Sequence, residues 1–249
     1  MDLGLKGAAA IVTGGASGIG AAIAVELARE GARIAIVDLR RDAKAEAVLA
    51  EIAAAGGEAS FHEADVRDFA AAERIAREVA GAAGRLAALV CCAGVTDDAL
   101  SWKMTEAQWD RVLDVNLKGC FAWCRVAGDL MKDARGGRIV NIASINGLRG
   151  KFGQANYAAS KGGMIALSKT LARELGKFGV TVNVVAPGMV RTDMAAALPQ
   201  DVVEKALNET VLGRLADPRD CAAVVAFLCS DAARHVTGQV VQVDGGQYL

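Results

Sequence analysis

Ala8-Ala9-Ala10-Ile11-Val12 runs directly into Thr13-Gly14-Gly15-Ala16-Ser17-Gly18-Ile19-Gly20, and then into Ala21–Glu30, where apolar residues recur at helical spacing. An apolar run of strand length, a glycine turn and an amphipathic stretch predict a strand–turn–helix unit, with the helix starting at Gly18. Glycines allow φ > 0 and let the main chain come close to a phosphate. The helix start adds N–H groups and a partial positive charge suited to a pyrophosphate. The spacing is Gly-x-x-x-Gly-x-Gly, not the commoner Gly-x-Gly-x-x-Gly. No Lys-Ser/Thr follows Gly20, so a P-loop is disfavoured. The competing interpretation is a plain strand-to-helix connection, against which the glycines at 14, 18 and 20 argue.

Outward from this unit, a second apolar run, Arg33–Val37, ends at Asp38. A carboxylate there, roughly 20 residues beyond the glycine turn, can accept hydrogen bonds from ribose hydroxyls and would repel a 2′-phosphate. The expected cofactor is therefore NAD rather than NADP. Arg40 and Arg41 are the counter-evidence, since either could pair with a 2′-phosphate; solvated charge at the next helix start is the preferred reading. Position 17 is Ser, so the turn itself carries no basic residue.

Strand and helix patterns alternate along the whole chain. Strands are expected at 8–12, 33–37, 59–62, 86–90, 137–142, 181–185 and 240–243. Helices are expected at 18–30, 42–55, 69–83, 105–132, 155–177 and 218–230. The alternation implies one α/β domain over residues 1–249, a Rossmann-type doubly wound parallel sheet of about seven strands with helices on both faces. Ligands of such sheets sit beyond the C-terminal strand ends, where Gly14, Asp38, Asp65, Gly94, Ser144 and Pro187 all fall. Residues 189–212 break the pattern. They read as a lid over an apolar substrate, with an ordinary surface helix pair as the alternative.

Composition narrows the class. The chain has 249 residues, 53% of them hydrophobic, a formal net charge of −1 and only three prolines. No linker or charge block stands out, and no nucleic-acid footprint is expected. The apolar runs are too short to span a bilayer. No charged-then-apolar leader precedes Ala8, so the expected location is cytoplasmic. The six cysteines, Cys91, Cys92, Cys120, Cys124, Cys221 and Cys229, lie on apolar patterns without a Cys-x-x-Cys pair. They are expected to be buried reduced thiols. Cys120 and Cys124 share a helix face, but two thiols alone make a poor metal site, and no metal is expected.

Chemistry concentrates near Tyr157, one of two tyrosines, which precedes Lys161 by four residues. On a helix the two share a face. An ammonium near a phenol favours the phenolate and suits it to proton transfer near neutral pH. Alone, a Tyr-x-x-x-Lys match is weak.

Taken together, Thr13-Gly-x-x-x-Gly-x-Gly20, Asp65-Val66, Ala93-Gly94, Asn116, Ser144, Tyr157-x-x-x-Lys161, Pro187-Gly188 and Thr192 resemble the short-chain dehydrogenase/reductase family over essentially the full length. Gly153-Gln154-Ala155-Asn156-Tyr157 and Val243-Asp244-Gly245-Gly246 look most similar to its 3-oxoacyl-thioester reductase branch. One departure is Cys91-Cys92 where the family usually has Asn-Asn. An amide that ties neighbouring strands is lost, and a thiol is too weak a hydrogen bonder to replace it, which puts local rigidity in doubt.

The resemblance implies a role for each matched residue. Gly14, Ser17, Gly18, Ile19, Gly20, Asp38, Ala93, Gly94, Pro187 and Gly188 would line the cofactor. Asp65 would bond the adenine amino group, with Val66 adding a main-chain N–H; on the residues alone, Asp65 could equally cap the helix before Phe69. Thr192 would hold the nicotinamide carboxamide. Tyr157 would be the general acid/base, Lys161 would tune it and hold the ribose, Ser144 would bind the substrate oxygen, and Asn116 would position a relay water. Asn is a poor helix former, a mild hint of function at position 116; an exposed helix Asn is the alternative.

The expected reaction interconverts a secondary alcohol and a ketone by hydride transfer. The favoured substrate is a 3-hydroxyacyl or 3-oxoacyl thioester of CoA or acyl carrier protein, with oxidation the expected direction. Gln154, Arg149, Met189 and Met194 are weaker substrate candidates. Arg149, Lys151, Arg135 and Arg173 could meet an anionic carrier, or could be solvated surface charge. An aromatic, alicyclic or steroid alcohol is the alternative substrate. A non-catalytic cofactor-binding subunit of a hetero-oligomer is the alternative of another class. The resemblance further suggests a homotetramer built through residues 105–132 and 155–177 and the last strand.

Overall fold

In the computed structural model residues 3–249 are described, apart from the side chain of Met194. Seven strands form one parallel sheet in the order β3-β2-β1-β4-β5-β6-β7. They are β1 Ala9–Thr13, β2 Arg33–Asp38, β3 Glu58–Glu63, β4 Leu86–Cys91, β5 Gly137–Ile142, β6 Val180–Pro187 and β7 Val240–Val243. The sequence boundaries are met to within one or two residues. The main extension is at β6, which continues to Pro187 and so carries Val185–Pro187 to the crevice edge.

The helices are α1 Gly18–Arg29, α2 Ala43–Ala54, α3 Phe69–Ala83, α4 Glu106–Leu113, α5 Gly119–Asp133, α6 Asn146–Arg149, α7 Ala155–Leu175, α8 Asp193–Ala196, α9 Gln200–Glu209 and α10 Pro218–Cys229. The single helix expected over 105–132 is divided. A π-helical turn, Asp114–Lys118, separates α4 from α5, with the Gly119 N–H donating to the Asp114 carbonyl five residues back. Such turns shift the face a helix presents, and this one carries Asn116. The short helix α6 had no counterpart in the expected pattern.

Alternate side chains of each strand feed two cores, as the period of two requires. Ile11, Leu89, Ile139 and Val182 pack with α3, α5 and α7 around Trp123, Ile75 and Met164. Ala10, Val12, Ile36, Val90, Val140 and Val185 pack with α1, α2 and α10 around Ile23, Leu27, Ile52 and Val225. Each fully buried aliphatic side chain contributes about 1.5–3 kcal/mol. The helix starts are fixed locally. Asp42 caps α2, Asp68 caps α3, Thr105 and Gln108 form a capping box on α4, and Asp217 and Asp220 form another on α10. The cap before Phe69 is thus Asp68, not Asp65.

After β3 the chain returns to place β4 beside β1. The strand order reverses there, and a crevice opens beyond the C-terminal ends of β1 and β4.

Candidate active site

Gly14 has φ of 67° and lies against β4: a Cβ there would sit 2.7 Å from the Cα of Ala93. At Gly20 a Cβ would meet the Gly14 carbonyl oxygen at 2.0 Å. The turn is therefore folded onto itself and onto Ala93, and only glycine fits either position. The Ser17 side chain makes no cap hydrogen bond to α1, unlike the capping residues of α2, α3, α4 and α10. A third cradle lies at Gly94, where a Cβ would come 3.3 Å from Asn116 Oδ1 and 3.4 Å from Lys161 Nζ. Three points of close backbone approach along one strand-end crevice fit an extended dinucleotide. The residues that could hold it are Gly14, Ser17, Gly18, Ile19, Gly20, Ala93 and Gly94.

Asp38 closes one end. Its carboxylate accepts from the Ala16 N–H at 3.1 Å and the Leu39 N–H at 2.8 Å, locking the glycine turn to the tip of β2. Arg41 is turned away onto Glu46 at 2.6 Å; Arg40 is exposed. Asp65 lies just past β3, held by the Arg67 guanidinium at 2.6–3.0 Å, which draws its pKa below the usual carboxylate value. Val66 is buried and packs over Gly119.

At the other end, Ser144, Tyr157 and Lys161 converge past β5. Ser144 is 8% exposed and its Oγ accepts from the Asn146 N–H at 3.1 Å. Lys161 is 3% exposed; its ammonium donates to the Ile142 carbonyl at 2.7 Å and stands 5.7 Å from the centre of the Tyr157 ring. Burial pushes the Lys161 pKa below its ordinary value. Burial also pushes the Tyr157 phenol up to about 12, and the neighbouring Ser144 hydroxyl opposes that shift. The expectation that Lys161 lowers the phenol pKa is thus not met within the chain. Desolvation dominates, the charges of Cys92 and Asp98 add to it, and only the Ser144 hydroxyl opposes it. A phenol in this state is a proton donor at neutral pH.

Asn116 is fully buried and clamps two elements together. Its Oδ1 accepts from the Val95 N–H at 2.8 Å, and its Nδ2 donates to the Val95 carbonyl and to Ser160 Oγ. This excludes the exposed-helix alternative for that residue.

The weaker candidates fare differently. Gln154 is buried and bonded to Asp98 at 2.8 Å and Asn146 at 3.1 Å, so it builds the wall beside Tyr157. Arg149 does not stand free for an anionic carrier. Its guanidinium pairs with Glu209 at 3.2 Å and with the Gln247 carbonyl at 3.3 Å. Met189 is pinned through its N–H to Gln247 Oε1 at 3.0 Å, and the side chain of Met194 lies outside the described residues. Pro187 ends β6, and a Cβ on Gly188 would come 2.7 Å from Gln247 Oε1. Thr192 caps α8, and its methyl group would lie 3.3 Å from a Cβ placed on Gly18, so this segment reaches the glycine turn. From α8, Asp193 pairs with Lys44 on α2, across the crevice.

Several functional contacts escaped the sequence. Asn156 anchors the start of α7 by donating to the carbonyls of Asp97 and Gln108. Thr13 Oγ1 accepts from the N–H groups of Cys92 and Ala93 at 3.2 and 3.4 Å. A hydroxyl from β1 therefore secures the tip of β4, answering the doubt raised by Cys91-Cys92. The polarity of Thr13, at the end of an otherwise apolar run, was the available signal. The three-thiol cluster of Cys91, Cys120 and Cys124 had none, because the residues come from two elements.

The strand switch point, its glycine cradle and the buried Lys161 beside Tyr157 define the class of α/β dinucleotide-binding oxidoreductases. The family described as enoyl-(acyl carrier protein) reductase matches residues 14–247. The 3-oxoacyl-[acyl-carrier-protein] reductase of Staphylococcus aureus is 43% identical over 240 residues, covering 96% of this chain and 98% of the relative. The (3R)-3-hydroxyacyl-CoA dehydrogenase of Canis lupus familiaris is 43% identical over 255 residues, covering 99% and 98%. A short-chain type dehydrogenase/reductase structure from Mycobacterium ulcerans superposes with a TM-score of 0.94 at 32% identity, covering 98% of this chain and 90% of that one. The chain belongs to the short-chain dehydrogenase/reductase family, whose members use a nicotinamide cofactor. No described helix is long and apolar enough to cross a membrane.

Proposed function

We propose that the protein interconverts a 3-oxoacyl thioester and the corresponding 3-hydroxyacyl thioester with NAD(H). The observation that carries this reading is the convergence of Ser144, Tyr157 and Lys161 beyond β5, beside the Gly94 cradle. The nicotinamide supplies the hydride when bound. Ser144 binds the substrate oxygen and polarises the carbonyl. Tyr157 gives that oxygen a proton in reduction and removes it in oxidation. Lys161, held by Ile142, positions the ribose, and Asn116 keeps the wall between Val95 and Ser160 rigid. The protonated phenol suits proton donation to the substrate oxygen in reduction at neutral pH.

Asp38 supports NAD, since its carboxylate lies where a 2′-phosphate would be repelled. The thioester reading rests on the two named relatives and on exposed apolar side chains in the loops that precede α4 and α7. Trp102 and Phe152 are 74% and 85% exposed, on loops joined by the Ala99 N–H to Gly153 carbonyl bond. Residues 189–212 act as a lid over that mouth in a single-domain enzyme. Exposed Trp109 and Phe121, with Leu117 on the same helical face, support association into a homotetramer through α4, α5 and α7.

The test is a turnover assay with acetoacetyl-CoA, crotonyl-CoA and simple cyclic ketones, each with NADH and NADPH. Reduction of acetoacetyl-CoA with NADH is expected. Turnover of crotonyl-CoA alone would assign the enoyl reaction named by the family description. Nucleotide binding without any turnover would assign a non-catalytic subunit.

A further inference from the structure

We propose that Cys91, Cys120 and Cys124, with Oδ1 of Asn141, form a binding site for a thiophilic divalent cation, Zn²⁺ foremost. The sequence offered only a pair of thiols on one helix; the fold adds a third from the end of β4. All three are buried, and their sulfurs lie within 4.8 Å of one another. Cys91 and Cys124 are 3.9 Å apart at sulfur, and Cys120 and Cys124 are 3.8 Å apart. Sulfurs bound to one tetrahedral zinc at about 2.3 Å stand about 3.8 Å apart.

The fourth corner is already in place. Asn141 Oδ1 lies 3.4 Å from the sulfurs of both Cys120 and Cys124. An oxygen and a sulfur on one zinc are separated by about 3.5 Å. The amide orientation is fixed from behind: Asn141 Nδ2 donates to Ser168 Oγ at 2.9 Å, and Ser168 donates onward to the Met164 carbonyl at 2.7 Å. That chain leaves the amide oxygen facing the thiols, the kind of outer support that orients a metal ligand. Without an ion the thiols of Cys120 and Cys124 donate to this oxygen, so the site is satisfied in either state.

Charge favours a divalent ion. Three thiolates with Zn²⁺ leave one net negative charge, and coordination releases the thiol protons. A buried charge needs a partner. Lys161 is close enough to interact electrostatically with Cys91 and Cys120 and can supply it. A monovalent ion would leave two negative charges beside one ammonium.

Because the core is closed, the protein is best loaded as it folds, by expression in cobalt-supplemented minimal medium and purification under reducing conditions. The expected result is one cobalt per chain, with thiolate charge-transfer absorption and the strong visible bands of tetrahedral coordination, both missing when Zn²⁺ replaces cobalt in the growth medium. Cys124→Ala should abolish the absorption, Cys229→Ala should keep it, and Ser168→Ala should weaken affinity about 10–100-fold. Parent protein without thiolate–cobalt bands, or an undiminished signal in Cys124→Ala, would overturn the proposal. The parent spectrum decides alone if the variant does not fold.

Discussion

The Lys161 ammonium donates to the Ile142 carbonyl at 2.7 Å, fastening the middle of α7's active face to the end of β5. This bond fixes the height of Tyr157, one helical turn earlier, above the strand end that also delivers Ser144. The geometry of the candidate site is thereby tied to the sheet rather than to a loop.

Replacing Tyr157 with Phe should lower turnover by about 10²–10⁴-fold, the usual worth of a positioned acid/base. Nucleotide affinity should change little. Steady-state rates and a fluorescence titration with NADH check both halves; unaltered turnover would remove Tyr157 from the chemistry.

The phenol pKa of about 12 predicts opposite pH trends for the two directions. Oxidation of a hydroxyacyl thioester should quicken steadily from pH 7 to 10, as the phenolate fraction rises. Reduction should hold level or fall. Parallel rate–pH profiles, both flat, would contradict the assignment of this proton to Tyr157.

Alkali should also destabilise the fold. Cys221 and Cys229 are raised by burial from 9.0 to about 12, and Tyr157 from 10.0 to about 12. Acids with raised folded pKa values contribute full stability below their unfolded values and lose it as pH climbs toward the folded ones. Each cysteine costs about 1.4 kcal/mol per pH unit between pH 9 and 12, and Tyr157 does so only between pH 10 and 12. Denaturant midpoints measured across that range should drop steeply, and Cys229→Ala should shallow the slope.

Two glycine substitutions should behave oppositely. In Gly20→Ala the added methyl would overlap the Gly14 carbonyl, costing about 1–3 kcal/mol and nucleotide binding. Gly81, inside α3, has open space around its would-be Cβ, so Gly81→Ala should stabilise by about 0.4–1 kcal/mol. Thermal unfolding with and without NAD distinguishes them.

Asp38→Ala should narrow the preference for NADH over NADPH, by raising KM for the former and lowering it for the latter. Equal losses for both nucleotides would show that Asp38 only braces Ala16 and Leu39.

Most of the fold was legible because every strand but the polar edge strand β3 carries a short apolar run bounded by turn residues, and each long helix repeats at 3.6. The glycine turn was legible because its backbone demands are met by residue type alone. The interruption at Asp114–Lys118 was not: its sequence, Asp-Val-Asn-Leu-Lys, keeps helical periodicity, and the π turn arises from Asn116 reaching across to Val95 and Ser160. Arg149 misled for a related reason. Its partner, Glu209, lies sixty residues away, and only folding brings the two charges together. Tyr157's raised pKa was hidden too, since sequence spacing reveals a neighbouring charge but not the depth of burial.

Gln247 joins strands of the molecule that sequence keeps far apart: it receives the Met189 N–H, donates to Glu209 and offers its carbonyl to Arg149. Shaving the chain back from Asp244 would sever all three tethers at once. The damage would surface at the crevice mouth, as poor retention of substrate, long before the sheet itself came apart.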